Sequence, residues 1–504
     1  MSGLVHGAVL VGVEAVRVEV EVDLLRRLPS VAIVGLPSPS VREAAERVRS
    51  AILASGFDFP RNRVVISLAP ADIRKDGTSF DLPMAMAILA ASGVADRGRA
   101  AVWLFAGELT LAGELRPVRG ALSIACAARD AGFVGVVLPE GNGAEGALVH
   151  GLSVRVARSL REVVDFINGA VELPSASAPP GGDAIAELDL RDVQGQEEAR
   201  FALEVAAAGG HNLIFEGPPG CGKTMLAARL PGILPSLSAA EALECTRIHS
   251  AAGLRASQQG IVRVRPFRAP HHSVSTAAII GGANLHPGEA SLAHHGVLFL
   301  DEFPEFRRDV REALRAPLED RVVVLSRAGG RVVFPASFAL IAASNPCPCG
   351  YHGHPTRACV CSPSARQRYR AHLSGPIVDR IDLRVLLAPV EPARLFGESL
   401  AEASAAVRAR VEAARSAQSA RNGAGCTNAS LAADLVVPLA DPTGPALRAL
   451  VNHVEASGTS ARVGRRILRV SRTIADLESA VRVDVRHVCQ AIALRFDGEE
   501  EVAP

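Results

Sequence analysis

The sequence predicts an α/β protein of several domains: a mixed α/β unit, then a parallel sheet built around a phosphate-binding loop, then a helical region. Three observations predict it. A chain of 504 residues exceeds what one hydrophobic core organises. A glycine-rich stretch, GPPGCGKT at 217–224, stands between an apolar run and a helical pattern. Three short continuous apolar segments, 212–217, 296–302 and 338–345, have the composition of strands buried on both faces, as parallel sheets require. With 48% hydrophobic and 21% charged residues, the chain is not of the disordered class.

The first unit spans 1–172. Valine-rich runs at 13–22 and 63–70 predict strands. A helix is predicted over 40–56, with Ser40 as N-cap, Glu43 completing a capping box and Gly56 at its end. Residues 173–187, rich in Pro, Ser, Ala and Gly, read as a linker. The parallel sheet is expected within 188–391, with a basic insertion at about 255–290 and a four-cysteine loop at 346–362. From 392 to 504 the chain is alanine- and arginine-rich with a helical pattern.

The octapeptide Gly217, Pro218, Pro219, Gly220, Cys221, Gly222, Lys223 and Thr224 matches the P-loop pattern without departure. Its glycines let backbone N–H groups curl around phosphate oxygens, and the helix that follows adds its positive end. Lys223 would reach the β- and γ-phosphates of ATP and Thr224 would hold Mg²⁺. Lysine occurs twice in the chain, at 75 and 223; position 223 needs a slim ammonium rather than a guanidinium fork. Asp301 and Glu302 close the second apolar segment, where one carboxylate can join the magnesium shell and the other can polarise the attacking water. Asn345 ends the third segment and either orients water or makes an ordinary turn before Pro346. Arg380 stands between Asp379 and Asp382, either paired locally or aimed at a neighbouring subunit's γ-phosphate. Helical spacing brings Arg462, Arg465 or Arg466, and Arg469 near one face, a candidate second phosphate sensor.

Net charge is +1, so any nucleic-acid binding needs a local basic surface. Arg263, Arg265 and Arg268, with two histidines in the 263–272 segment, offer either such a DNA-gripping surface or a solvated or subunit-interface loop. One Trp and two Tyr leave little for stacking bases. Cys347, Cys349, Cys359 and Cys361 form two CxC pairs with nine residues between them. They could close a structural zinc site, with His352 and His354 as spare ligands, or remain unliganded thiols. The other five, Cys126, Cys221, Cys245, Cys426 and Cys489, are expected to pack as small hydrophobes. An odd cysteine count without a secretion signal points to a reducing cytoplasm. The most apolar window, 82–94, is too short to span a membrane and contains Pro83 and Gly93.

Together these elements resemble an AAA+ ATPase, and more closely the YifB/ComM family of magnesium-chelatase-like ATPases. Strings such as FRAPHHSVS, PGEASLAHHGVLFLDEFPEF, NPCPCGYHG, LSGPIVDRIDLRV and SARVGRRILRVSRTIADL carry the resemblance, which covers essentially the whole chain. It implies Lys223 and Thr224 in Walker A, Asp301 and Glu302 in Walker B, Asn345 as sensor 1 and Arg380 as arginine finger. Arg462 resembles the sensor 2 arginine, with Arg466 and Arg469 still open, and the C-terminal region the helical lid. The family further implies a homo-hexameric ring that hydrolyses ATP to move DNA, driving branch migration when imported strands integrate during natural transformation, possible recombination proteins being its partners. The alternatives are a chelatase-type subunit driving metal insertion into a tetrapyrrole, and a nucleotide-gated scaffold.

The segment KDGTSFDLPMAMAILAASG resembles the serine loop of the Lon protease domain and places Ser79 at the nucleophile position. The lysine a Lon-type dyad needs would align with Ile124 in the 107–128 segment, and Leu122 is no substitute. Arginine cannot serve, because it does not deprotonate in proteins. A Lon-like fold without peptidase activity is therefore expected, an ATP-dependent peptidase being the alternative.

Overall fold

The computed structural model describes residues 2–178, 188–254, 260–282, 286–327, 330–373, 377–390 and 401–495. Parts of the expected linker, basic insertion, finger motif and start of the helical region, at 179–187, 255–259, 283–285, 374–376 and 391–400, lie outside the described residues.

The first unit is a seven-stranded mixed sheet in the order β3-β4-β2-β1-β5-β8-β9. Its strands are β1 (Ser2–Val11), β2 (Glu14–Leu25), β3 (Ser30–Val34), β4 (Arg63–Ala69), β5 (Trp103–Phe105), β8 (Gly135–Pro139) and β9 (Ser153–Ala157); β6 (Glu108–Leu109) and β7 (Leu115–Arg116) make a separate small hairpin. Alternation works as the sequence predicts: Val18, Val20 and Val22 are buried while Glu21 and Asp23 face water. The apolar window becomes a helix, Asp81–Ala91, whose every residue is buried. It lies so close to β1 that a Cβ on Gly3 would meet the Ala87 carbonyl at 2.5 Å. The helix predicted from Ser40 begins earlier, at Pro39–Ala54. Ser38 is the cap, its Oγ accepting from the Val41 amide at 3.3 Å. Pro39 takes the first turn, which suits its fixed φ, and places Val41 where a capping box needs an acid. The expected linker also starts as sheet edge: Leu173 is buried, and residues 174–176 hydrogen-bond along β9.

The second sheet has five parallel strands in the order β11-β12-β15-β10-β16. They are β10 (Leu213–Glu216), β11 (Phe267–Arg268), β12 (Val297–Leu300), β15 (Ala339–Ser344) and β16 (Leu383–Leu386). The three continuous apolar runs are its core strands, buried on both faces. Leu213, Phe215, Val297, Phe299, Ile341 and Ala343 face the helices Glu197–Gly209 and Lys223–Ile233. Ile214, Leu298, Leu300, Leu340 and Ala342 face a second cluster under the hairpin of β13 (Val322–Arg327) and β14 (Gly330–Pro335).

The C-terminal region is helical: Ser404–Asn422, Val436–Ala440, Gly444–Ser457, Ala461–Leu477 and Val485–Ala493. It packs on the first face of the parallel sheet. Arg410 bridges to Glu204 and Glu402, and buried Asp476 receives Arg421, Arg472 and Asn428. The first unit rests on the second through the helix Ala121–Asp130, set against Ala239–Ala251. Val13 enters the second unit's core, Arg247 pairs with Glu14, and Ser250 bonds Glu145.

Candidate nucleotide site

At the end of β10 the amide of Gly217 donates to the Ser344 carbonyl on β15 at 3.1 Å, and the chain turns away from the sheet. Gly220 and Gly222 then take φ of 82° and 94°, a region side chains rarely enter, and the eleven-residue helix Lys223–Ile233 begins. Because β10, β12 and β15 are in parallel register, their C-terminal ends bring three sequence-distant segments to one cleft. It has a volume of about 380 Å³ and is lined by residues 219–225, Asp301, Glu302, Ser344 and Asn345.

Thr224 Oγ1 donates to Asp301 Oδ2 at 2.9 Å. Lys223 Nζ donates to Asn345 Oδ1 and to the Pro218 carbonyl, both at 3.0 Å, and to the Gly217 carbonyl. Burial lowers the Lys223 pKa from its ordinary value, with nearby Asp301 opposing the shift. The donor set fits a magnesium nucleotide: hard oxygen ligands side by side, a lysine above a glycine turn, and a helix N-terminus.

Glu302 has φ 53°, in the left-handed region unusual for a non-glycine residue. Its carboxylate meets His272 Nδ1 at 3.1 Å. Linear sequence hides this contact. The parallel register pairs Arg268 with Leu298, and the turns that follow β11 and β12 bring His272 to Glu302.

Arg380 and Arg462 do not line this cleft. Arg380 precedes β16, whose Leu383 pairs with Leu213 at the start of β10. Reaching its own phosphate loop means traversing at least four strand residues, about 13 Å at about 3.3 Å each. Its buried guanidinium pairs with Glu319 on the helix Arg315–Asp320. Arg462 Nη2 meets the same carboxylate at 3.2 Å. Glu319 thus gathers two arginines from distant segments, a role that sequence spacing did not reveal. Arg466 is buried against the Ile381 carbonyl and Arg469 donates to the Leu431 carbonyl.

Two of the three insertion arginines are engaged by neighbouring elements. Arg265 donates to the carbonyls of Pro235 and His295, each at 2.6 Å, and Arg268 is bidentate to Glu289 at 2.6 and 2.7 Å. Arg268 lies on edge strand β11 and Arg265 just before it, and both tie the sheet to neighbouring elements; Arg263 is exposed.

The four cysteines of the loop converge, all Sγ atoms lying within 4.8 Å of one another. Cys347, Cys349 and Cys359 are separated by 3.4, 3.6 and 3.7 Å. Thiolates about 2.3 Å from a tetrahedral zinc stand about 3.8 Å apart, so the set fits that ion. The histidines are not spare ligands: His352 Nδ1 meets Arg366 Nη1 at 2.8 Å, and His354 Nδ1 accepts the amides of Thr356 and Arg357. The loop leans on the phosphate loop, because a Cβ on Gly350 would meet Pro219 Cδ at 2.7 Å. Among the other cysteines, Cys126, Cys221 and Cys245 are buried as expected, whereas Cys426 is half-buried and Cys489 exposed.

A second cluster, Glu244 with His294 and His295, is a hydrogen-bonded group. His294 Nδ1 accepts the Ser337 amide at 3.0 Å, so the neutral ring carries its proton on Nε2 and donates it to Glu244 at 3.1 Å. That tautomer offers no Nε2 lone pair to a metal. In the first unit, Ser79 is half-buried, Ile124 is buried in the helix Ala121–Asp130, and the Lys75 ammonium is bound to the Pro70 carbonyl.

Fold and site together define a P-loop ATPase of the AAA+ class, an enzyme that binds and hydrolyses ATP. Three family models match: magnesium chelatase, subunit ChlI, over 189–395; subunit ChlI of Mg-chelatase over 20–142; and the ChlI C-terminal model over 401–495. The YifB protein of Salmonella typhimurium is 42% identical over 496 residues, covering 98% of this chain and 96% of its own. Competence protein ComM of Haemophilus influenzae is 42% identical over 504 residues, covering 98% and 97%. YifB of Escherichia coli is 40% identical over 496 residues, covering 98% and 96%. The chain belongs to the YifB/ComM family of magnesium-chelatase-like AAA+ ATPases. No helix among the described residues is long and apolar enough to cross a membrane.

Proposed function

We propose that the protein is an ATP-driven motor on DNA, working as a hexameric ring of identical subunits and migrating branches when imported DNA recombines. The observation that carries the ring is the separation of Arg380 and Arg462 from their own cleft: held on Glu319, they suit the γ-phosphate of a neighbouring copy. The DNA reading rests on full-length kinship with a competence protein.

In this reading Thr224 and Asp301 hold Mg²⁺, which when bound neutralises phosphate charge. Lys223 and the amides of 217–224 bind the β- and γ-phosphates. Glu302 polarises the attacking water and Asn345 orients it. Cys347, Cys349, Cys359 and Cys361 hold a structural zinc. The first unit is a Lon-like fold without peptidase activity, its serine having no base of the kind that fold uses. Locating the enzyme in the cytoplasm agrees with cysteines that form no disulfide among the described residues.

The chelatase description of the family models favours a second reading, a subunit that drives metal insertion into a tetrapyrrole. ATP turnover measured with single-stranded, duplex and four-way-junction DNA separates the two. The motor reading expects stimulation by branched DNA, lost in Arg380→Ala and partly restored when that variant is mixed with an Arg380-bearing, Glu302→Gln subunit. Turnover indifferent to branched DNA at low salt would sink it.

A further inference from the structure

Residues 346–372 contain four arginines and three histidines and neither Asp nor Glu, although 53 acids are spread over the 504 residues. At that average a stretch of this length holds about three. Elsewhere arginines are commonly neutralised, as Arg268 is by Glu289 and Arg410 by Glu204 and Glu402. Among the described residues no carboxylate forms an ion pair with Arg357, Arg366, Arg368 or Arg370. Arg366 is engaged by His352, while Arg357, Arg368 and Arg370 are exposed. They stand on one unit, the four-cysteine loop and the helix Pro363–Ala371 that continues from it.

The loop also carries a stacked group. The Arg357 guanidinium lies 5.2 Å from the Tyr351 ring centroid, its Nη1 donating to Tyr351 Oη at 2.9 Å, and His354 packs edge-on at 5.7 Å. Cations alone would suit any acidic partner. Cations beside flat π-faces suit a chain that carries phosphates and bases together.

We propose that this surface is a binding site for a nucleic-acid strand, with Arg357, Arg368 and Arg370 on its phosphates and the Tyr351–Arg357 stack against a base. The assignment rests on the DNA-motor reading and supplies its contact. It also supplies a route to the chemistry. Asn345 immediately precedes the segment and lines the cleft, and Gly350 presses on Pro219, which lines it too. A strand seated here therefore bears on the residues that line the nucleotide site.

The test uses the full chain, a non-hydrolysable ATP analogue and a labelled single-stranded oligonucleotide, titrated by anisotropy over a series of salt concentrations. The triple variant R357A/R368A/R370A should weaken binding on the order of tenfold to hundredfold, equally for unrelated sequences. Its log–log salt slope should become shallower by about two, since each lost phosphate contact on a single strand is worth about 0.7. The triple variant R357K/R368K/R370K, which keeps the charges, should recover most of the affinity. Oligonucleotides bearing 5-iodouracil should photocross-link to the peptide containing Tyr351. Wild-type affinity and slope in the triple alanine variant, or cross-links confined to other peptides, overturn the assignment and leave the motor reading standing. Absence of any DNA binding by the wild type overturns both. Displacement of the oligonucleotide by polyglutamate at matched charge assigns the surface to an acidic protein and overturns the nucleic-acid proposal.

Discussion

Glu302 holds a left-handed backbone conformation that costs a non-glycine residue about 1 kcal/mol or more. The strain is local to the carboxylate that the proposed mechanism needs. Replacing it should therefore separate stability from activity. Glu302→Gly should raise the free energy of unfolding by about 1 kcal/mol while turnover falls at least about hundredfold, and Glu302→Gln should lose turnover and keep nucleotide binding. Denaturant unfolding beside single-turnover ATP assays decides this; a Glu302→Gly chain less stable than wild type would remove strain as the explanation. His294 gives a pH prediction. Burial pushes its pKa down from 6.5 to about 4, so the folded state disfavours the protonated ring. For such a group the stability is fully present above about 6.5 and is lost as pH falls towards about 4. The loss is at most about 3 kcal/mol, at about 1.4 kcal/mol per pH unit. Unfolding curves measured across that window should slope more gently in His294→Gln, which cannot titrate. At this scale the P-loop and Asp301–Glu302 were legible, because chemistry confined to adjacent residues shows in spacing. His272 and Glu319 were not, because a turn beyond β11 and the packing of a helix bring them to partners distant in sequence.

Among the elements, the parallel strands were the most legible part of the fold. The three central ones, β10, β12 and β15, are buried on both faces, so a short continuous apolar run has no good alternative. The basic insertion was less legible: spacing left its arginines open between a DNA-gripping surface and an interface loop, and the partners of two of them, Glu289 and the carbonyls of Pro235 and His295, lie on other elements. The four-cysteine loop is legible as a cluster, but its contact with Pro219 required the fold. That contact makes a prediction. Cys359→Ser/Cys361→Ser should lose bound zinc, and with the loop no longer pinned against the phosphate loop, ATP affinity should fall several-fold. Elemental analysis and nucleotide titration measure the two effects; equal zinc in variant and wild type would end the zinc assignment.

At the scale of the molecule, the sequence suggests three regions in series, the first set off from the others by a linker rich in Pro, Ser, Ala and Gly. The structure adds a second connection that does not follow the chain. Val13 sits in the core under β13 and β14, Leu243 packs against the first unit's cluster, and Glu14 and Glu145 meet Arg247 and Ser250 on one helix. Nothing in composition announces such an interface, because each residue reads as an ordinary strand, turn or helix position.

That interface has a thermodynamic consequence. If the two sheets share apolar cores, neither can melt without exposing surface the other buries, and the linker contributes little to keeping them together. The enzyme should then show one heat-absorption peak, with calorimetric and van't Hoff enthalpies in agreement. Arg247→Ala, which strips the contact to Glu14, should begin to split that peak in two. An already divided thermogram for the wild type would mean that the sheets are independent bodies.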